Sequence, residues 1–239
     1  HPIVNWFTKL GIAPVRSYEK VIPVSIFKCD DTKIRLFLHH LWATDGNISW
    51  KFLPGRKQSA VIYYSTTSKV LAQQVQHLLL RLGILSSLRT VAQNKNNKTY
   101  RLNYQVHIQG AMAQTKFCEL VGSFGDRGNI VPLIRDALRD ISPNPNLDII
   151  PKHAWRNWVE PAKETAGASW RNVATGLGMS YCGSSLFKSG ISRMRMNRLA
   201  QALDSKQLSL LAKSDIFWDE IESITALGVE EVFDATVPD

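Results

Sequence analysis

The stretch Leu38-His39-His40-Leu41-Trp42-Ala43-Thr44-Asp45-Gly46 ends an apolar helix on an Asp-Gly pair. Ile34, Phe37, Leu38, Leu41 and Trp42 recur at spacings of three and four, which predicts a helix over 31–45. Asp30 or Asp31 would cap its start, and Gly46 would stop it. A carboxylate at the C-terminal end of a helix lies at the negative pole of the helix dipole and is disfavoured unless a cation offsets it. Asp45 with the Gly46 carbonyl suits Mg²⁺, which takes one or two carboxylates and completes its shell with carbonyl, water and phosphate oxygens. The same pair also suits a plain helix-ending turn, so the pattern alone leaves both readings open. His39 and His40 are adjacent, and adjacent helical residues point apart. They read as packing residues rather than as a ligand pair.

Outward from this helix the pattern alternates between helix and hairpin. Residues 48–52 and 61–65 read as strands around the turn Pro54-Gly55-Arg56-Lys57. Val70, Leu71, Val75, Leu78, Leu79 and Leu82 mark a helix over 68–82, capped by Ser68 and stopped by Gly83. Residues 87–93 and 100–109 form a second hairpin, and 111–121 a third helix. In the last strand Leu102, Tyr104, Val106 and Ile108 point inward, with Arg101, Asn103, Gln105 and His107 outward. The order helix, two strands, helix, two strands, helix predicts an α+β unit: an antiparallel sheet with helices on one face. Before it, residues 1–12 read as a short helix ending at Leu10-Gly11, followed by a basic connector from Arg16 to Pro23.

After Gly122 the composition shifts. A glycine-rich loop at 123–129 leads to a helix over 130–140, and Ser142-Pro143-Asn144-Pro145-Asn146 reads as a linker. Residues 152–165 and 169–203 look all-helical, with Trp155, Trp158 and Trp170 as core. From Ser214 the pattern turns to strands, 216–224 and 229–237, joined at Gly228.

Composition bounds the function class. Of 239 residues, 44% are hydrophobic and 21% charged, enough for a packed core and against global disorder. No apolar run reaches the roughly 18 residues of a membrane span, and no signal pattern opens the chain, so no membrane partner is expected. The net charge of +9 favours a polyanionic partner. Cys29, Cys118 and Cys182 show no zinc spacing and read as reduced thiols of a cytoplasmic protein.

Leu38 to Gly46, the hairpin after it, Tyr64-Ser65-Thr66-Thr67-Ser68 and Val75 to Ile84 together resemble the LAGLIDADG (DOD-type) homing endonucleases. The chain as a whole resembles inteins inserted in bacterial replicative DNA helicases. The resemblance implies a metal-dependent endonuclease, using Mg²⁺ on double-stranded DNA, coupled to protein splicing. In that family two motif helices pack together and each gives one aspartate. Asp45 matches the catalytic carboxylate of the second motif, and Gly46 is its companion metal ligand. The family's small residues at the second and third motif positions are replaced by His39 and His40. Arg127 is the nearest match to an active-site basic residue that follows a repeat.

The resemblance also implies that the outward strand faces meet DNA. Lys51, Arg56, Lys57, Arg89, Lys95, Lys98 and Arg101 would contact phosphates, and Gln58, Gln93, Asn103 and Gln105 would read base edges. Trp170 to Leu177, a short turn, and a helix from Ser184 carrying Arg193, Arg195 and Arg198 resemble a helix-turn-helix, a second DNA-binding segment. The end of the chain resembles the C-terminal splicing segment of inteins, with Asp234 as the residue assisting splicing. The expected organisation is therefore 1–22, tail of a first repeat; 23–128, second LAGLIDADG repeat; 129–213, helical DNA-binding segment; and 214–239, a β-rich, incomplete splicing segment. The partners implied are duplex DNA, an N-terminal intein part with the first repeat, and the host helicase sequence. The sequence leaves three roles open: an endonuclease, a DNA-binding remnant that does not cut, and a splicing element.

Overall fold

The computed structural model describes residues 2–52, 54–55, 58–92, 94–95, 98–99, 101–139, 141, 148–219, 221 and 223–232. The chain divides into two compact units, His1–Leu147 and Asp148–Asp239. The division expected after residue 128 lies elsewhere because helix α7 (Val131–Arg139) buries Ile134 and Leu138 in the core of the first unit.

The first unit is an antiparallel sheet with helices on one face. Its strands are β1 (Gly46–Lys51), β2 (Ser59–Thr66), β3 (Ser86–Val91) and β6 (Asn103–Ile108), in the order β1-β2-β6-β3. The short strands β4 (Asn94–Lys95) and β5 (Lys98–Thr99) pair at the tip of the second hairpin. The packed helices are α3 (Asp31–Asp45), α4 (Lys69–Arg81) and α5 (Ala111–Leu120). The first two begin on side-chain caps. The Asp30 carboxylate accepts from the Lys33 amide, and Ser68 Oγ accepts from the Leu71 amide. Gly83, at φ +66, closes α4 in the left-handed region that glycine tolerates.

Ile34, Leu38 and Trp42 run down the buried stripe of α3, and Trp42 packs between Tyr64 and Phe117 with ring centroids 5.6 and 4.9 Å away. Gln114 is buried at the start of α5 and donates through Nε2 to the Ala60 and Ile108 carbonyls at 3.1 and 3.0 Å. That pair of bonds pins α5 to β2 and β6. The basic connector docks on α4: Gln74 Oε1 accepts from the Ile22 amide at 2.7 Å, and Ser68 Oγ donates to the Lys20 carbonyl at 2.8 Å. Upstream, α1 (Pro2–Lys9) forms as expected, with no buried residue, and a short α2 (Val24–Phe27) precedes the motif helix.

In the second unit, a π-turn (Trp155–Val159) runs into α8 (Glu160–Thr165), followed by α9 (Trp170–Gly176), α10 (Arg193–Ala202) and α11 (Lys206–Lys213). A two-residue pairing of β7 (Ile149–Ile150) with β8 (Ile191–Ser192) closes it. Its core gathers Trp155, Val159, Val173, Met196, Leu199 and Leu208, with Trp158 and Trp170 packed at the margin.

Three expectations are corrected. Residues 169–203 are not continuously helical, because Gly178 and Gly183 sit at φ +70 and +62 and break the chain between α9 and α10. The two helices are thus joined by a long segment containing a 3-10 turn (Gly183–Phe187), not by the three- or four-residue turn of a helix-turn-helix. The expected strand over 216–224 is also absent among the described residues there, where Ile216, Ile221 and Ile224 are exposed, and most of the expected strand over 229–237 lies outside the described residues. Alternation supplies one apolar face, but a strand also needs a neighbour to take its hydrogen bonds. Finally, Leu102 precedes β6 and is 47% exposed rather than inward-facing.

Candidate nucleic-acid interface

The motif helix ends where β1 begins, so the Asp45 side chain is exposed while Gly46 is buried beneath it. The Gly46 amide donates to the Trp42 carbonyl and closes the last turn. A Cβ on Gly46 would lie 2.4 Å from Trp42 Cδ1 and 2.6 Å from the Trp42 carbonyl oxygen. Glycine at this position is therefore fixed by tryptophan packing. The negative charge of Asp45 reaches Tyr64, whose hydroxyl is pushed far up first by burial and then by that carboxylate.

Arg127 lies on α6 (Gly125–Asn129) and donates through Nη1 to the Ala43 carbonyl, two residues before Asp45. It places a positive charge at the negative pole of the motif helix. On the other flank, His39 Nδ1 donates to the Val121 carbonyl at 2.7 Å, and the rings of His39 and His40 both meet Phe124, at 5.6 and 5.2 Å. The two imidazoles thus form an aromatic cluster. Leu36, 58% exposed, and exposed His40 lie four residues apart on the solvent side of α3.

No group of three or more His, Cys, Asp or Glu side chains converges among the described residues. The donor set at this helix end is one carboxylate and neighbouring backbone carbonyls. It fits a hard cation such as Mg²⁺ only as half of a shared site, since Mg²⁺ fills its shell with further carboxylate, water and phosphate oxygens.

The sheet turns one face to the helices and the other to solvent. Register places Asn47, Tyr63, His107 and Ser87 in one row across the open face, and Ser65, Gln105 and Arg89 in the next. Lys51, Gln58, Arg89 and Arg101 are exposed, and Asn103 and Gln105 half-exposed. Arg101 stacks over Tyr18 at 3.7 Å. Lys95 and Lys98 pair through their backbones at the hairpin tip. Arg56, Lys57, Gln93 and Asp234 lie outside the described residues.

In the second unit Arg195 and Arg198 are exposed on α10. Arg193 is not available to a ligand. Its side chain is 17% exposed, with Nε 2.7 Å from an Asp148 carboxylate oxygen. Its remaining nitrogens donate to the carbonyls of Leu211, Ser214 and Ile216. The expected DNA contact at Arg193 is replaced by an internal one.

Residues 32–122 match the model of the LAGLIDADG-like domain. The match opens on the motif helix and closes just beyond α5, so the LAGLIDADG-like domain coincides with the sheet and its three packed helices. Over all 239 residues the chain is 44% identical to the replicative DNA helicase DnaB of Rhodothermus marinus, covering 25% of that protein. It is 41% identical over 239 residues to DnaB of a Nostoc strain, covering 27% of it. Protein RecA of Mycobacterium tuberculosis aligns with 95% of the chain at 27% identity, over 30% of its own length. The chain thus spans about a quarter of the length of the helicase relatives it matches.

Two residues of the open sheet face stand out only in three dimensions. Tyr63 and His107 stack at 5.0 Å across β2 and β6, and burial followed by the nearby Arg89 charge lowers the pKa of His107. The outward position of His107 was legible from alternation, whereas its pairing with Tyr63 depends on the register between strands far apart in sequence.

Proposed function

We propose that this chain is the DNA-recognising and DNA-cutting half of a homing endonuclease carried in an intein of a replicative helicase. The observation that carries the reading is Asp45: an exposed carboxylate at the end of the motif helix, at the edge of a polar, basic sheet face. Alignment of nearly the same segment with proteins named DnaB and RecA supports a module inserted in different hosts.

In this reading the open sheet face holds duplex DNA. Lys51, Arg89 and Arg101 meet phosphates, as do Lys95, Lys98, Arg56 and Lys57, and in the second unit Arg195 and Arg198 are phosphate contacts of their own. Asp45 and the Gly46 carbonyl would hold Mg²⁺ together with a carboxylate supplied by a second motif helix packed on α3. When bound, the metal lowers the barrier to hydrolysis by stabilising charge on the attacking and leaving oxygens. Arg127 steadies the helix end that presents Asp45. Asp234 serves the splicing reaction once the intein is whole.

The test is Asp45→Asn in a protein carrying both motifs, assayed for Mg²⁺-dependent cleavage and for DNA retention. The substitution keeps the shape of the helix end. Cleavage should be lost with retention unchanged; cutting of both strands at the wild-type rate would remove Asp45 from the active site.

A further inference from the structure

On the open sheet face the permanent charges sit on the edge strands, Lys51 on β1 and Arg89 on β3. No aspartate or glutamate occurs in any of the four strands. Of everything the two central strands carry, His107 is the sole side chain that titrates between pH about 5 and 8. Its ring is held on three sides. It stacks on Tyr63 at 5.0 Å, its Nε2 pairs with Gln105 Oε1 at 2.9 Å, and Ser87 lies directly opposite on β3. Ser87 Oγ is buried there without a hydrogen-bond partner. Neighbours directly opposite in a sheet bring their Cβ atoms within about 4.5–5.5 Å of each other. A neutral imidazole carries one N–H and an imidazolium two. One ring nitrogen is engaged with Gln105 whichever of the two donates, and the unpaired Ser87 hydroxyl is an acceptor for the N–H that protonation adds.

Two things oppose that proton in the free chain. Burial and then the Arg89 guanidinium hold His107 below the ordinary histidine value. The groups that face the ring are Tyr63 from β2, Gln105 on its own strand, and Ser87 and Arg89 from β3, and only Arg89 is charged. A polyanion laid on this face reverses the balance. Its phosphates offset Arg89 and bring negative potential over the centre of the sheet, where no carboxylate competes for the proton. We infer that His107 is a DNA-contact residue that takes up one proton as a duplex seats on the open face. At high pH the duplex is held from the two edges alone, by Lys51 and Arg89. As the pH falls, a central cation is added, and it exists only while the polyanion is there.

This inference rests on the DNA-binding reading above, and one set of measurements separates the two. The full chain is titrated with a rhodamine-labelled duplex of mixed sequence at constant ionic strength, from pH about 8 to about 5.5. The His107 imidazole is followed by NMR over the same range, with and without the duplex. Its midpoint should rise by about one pH unit on the duplex, the low end of what a nearby opposite charge does. Affinity should then grow by up to about tenfold as pH falls through the bound value, and level off below the free one. His107→Gln should remove about that factor from the pH profile, and unfolding within a few degrees of wild type shows that the variant folds. A midpoint unmoved by a duplex that does bind, or a His107→Gln profile as steep as wild type, overturns the inference and leaves DNA binding intact. Failure to retain the duplex at any pH overturns the DNA-binding reading and this inference with it.

Discussion

The guanidinium of Arg127 donates to the carbonyl of Ala43, joining a short helix after the sheet to the last turn of the motif helix 84 residues earlier. The bond sits at the pole where Asp45 adds a negative charge, so the same arginine offsets both the open carbonyl and the carboxylate beyond it.

Arg127→Met should therefore lower stability by about 1–2 kcal/mol, the usual loss for a hydrogen bond from a charged donor. Arg127→Lys should recover part of it, because charge is kept but the guanidinium fork is not. Chemical denaturation midpoints check both. In a two-motif protein, Arg127→Met should slow cleavage more than it weakens DNA retention, as expected of a residue that positions Asp45.

Gly46→Ala should destabilise the protein by about 1–3 kcal/mol, the range for overpacking a tight core. The added carbon meets Trp42, which is fully buried and cannot swing away. Because Trp42 is the reporter of the strain, tryptophan fluorescence should shift in this variant. An unfolding curve and spectrum identical to wild type would show that the helix-to-strand junction relaxes freely.

Arginines on α10 should separate into two kinds. Arg193→Met leaves half-buried Asp148 without its partner and should cost about 1–3 kcal/mol in stability. Arg195→Gln with Arg198→Gln should leave the melting temperature near wild type. That pair should reduce the slope of log affinity against log salt for duplex DNA by about two, one per lost phosphate contact. A salt slope unchanged by the double substitution would place DNA elsewhere on the protein.

Acidification should act through His107. Its folded pKa lies below the ordinary value of 6.5, so the unfolded chain binds the proton more readily. The contribution is fully present above pH about 6.5 and is lost as pH falls through the folded value. Melting temperatures measured from pH 7.5 down to 5 should fall more steeply for wild type than for His107→Phe. Parallel curves would mean that protonation of the imidazole carries no penalty in the folded sheet.

Much of the first unit was legible because its signals are local. The apolar spacing of Ile34, Leu38 and Trp42, the caps at Asp30 and Ser68 and the stop at Gly83 act within a few residues of themselves. The antiparallel sheet followed from alternation in β2 and β6. What escaped depends on contacts between distant residues. Arg193 looked like one more surface cation on a basic helix, but Asp148 lies 45 residues earlier and Ser214 lies 21 later. Gln58 was visible as polar, whereas its bond to the Trp50 indole, which packs against the core, depends on the folded hairpin. The strand expected over 216–224 failed for the opposite reason: local alternation was present, but among the described residues the pairing that turns alternation into a sheet was not.

The bonds of Arg193 have a consequence for how the second unit is held. Asp148 is its first residue, and Ser214 and Ile216 follow its last helix. A single side chain thus staples the point where the chain enters this helical core to the segment that leaves its last helix, so one substitution would loosen both flanks at once.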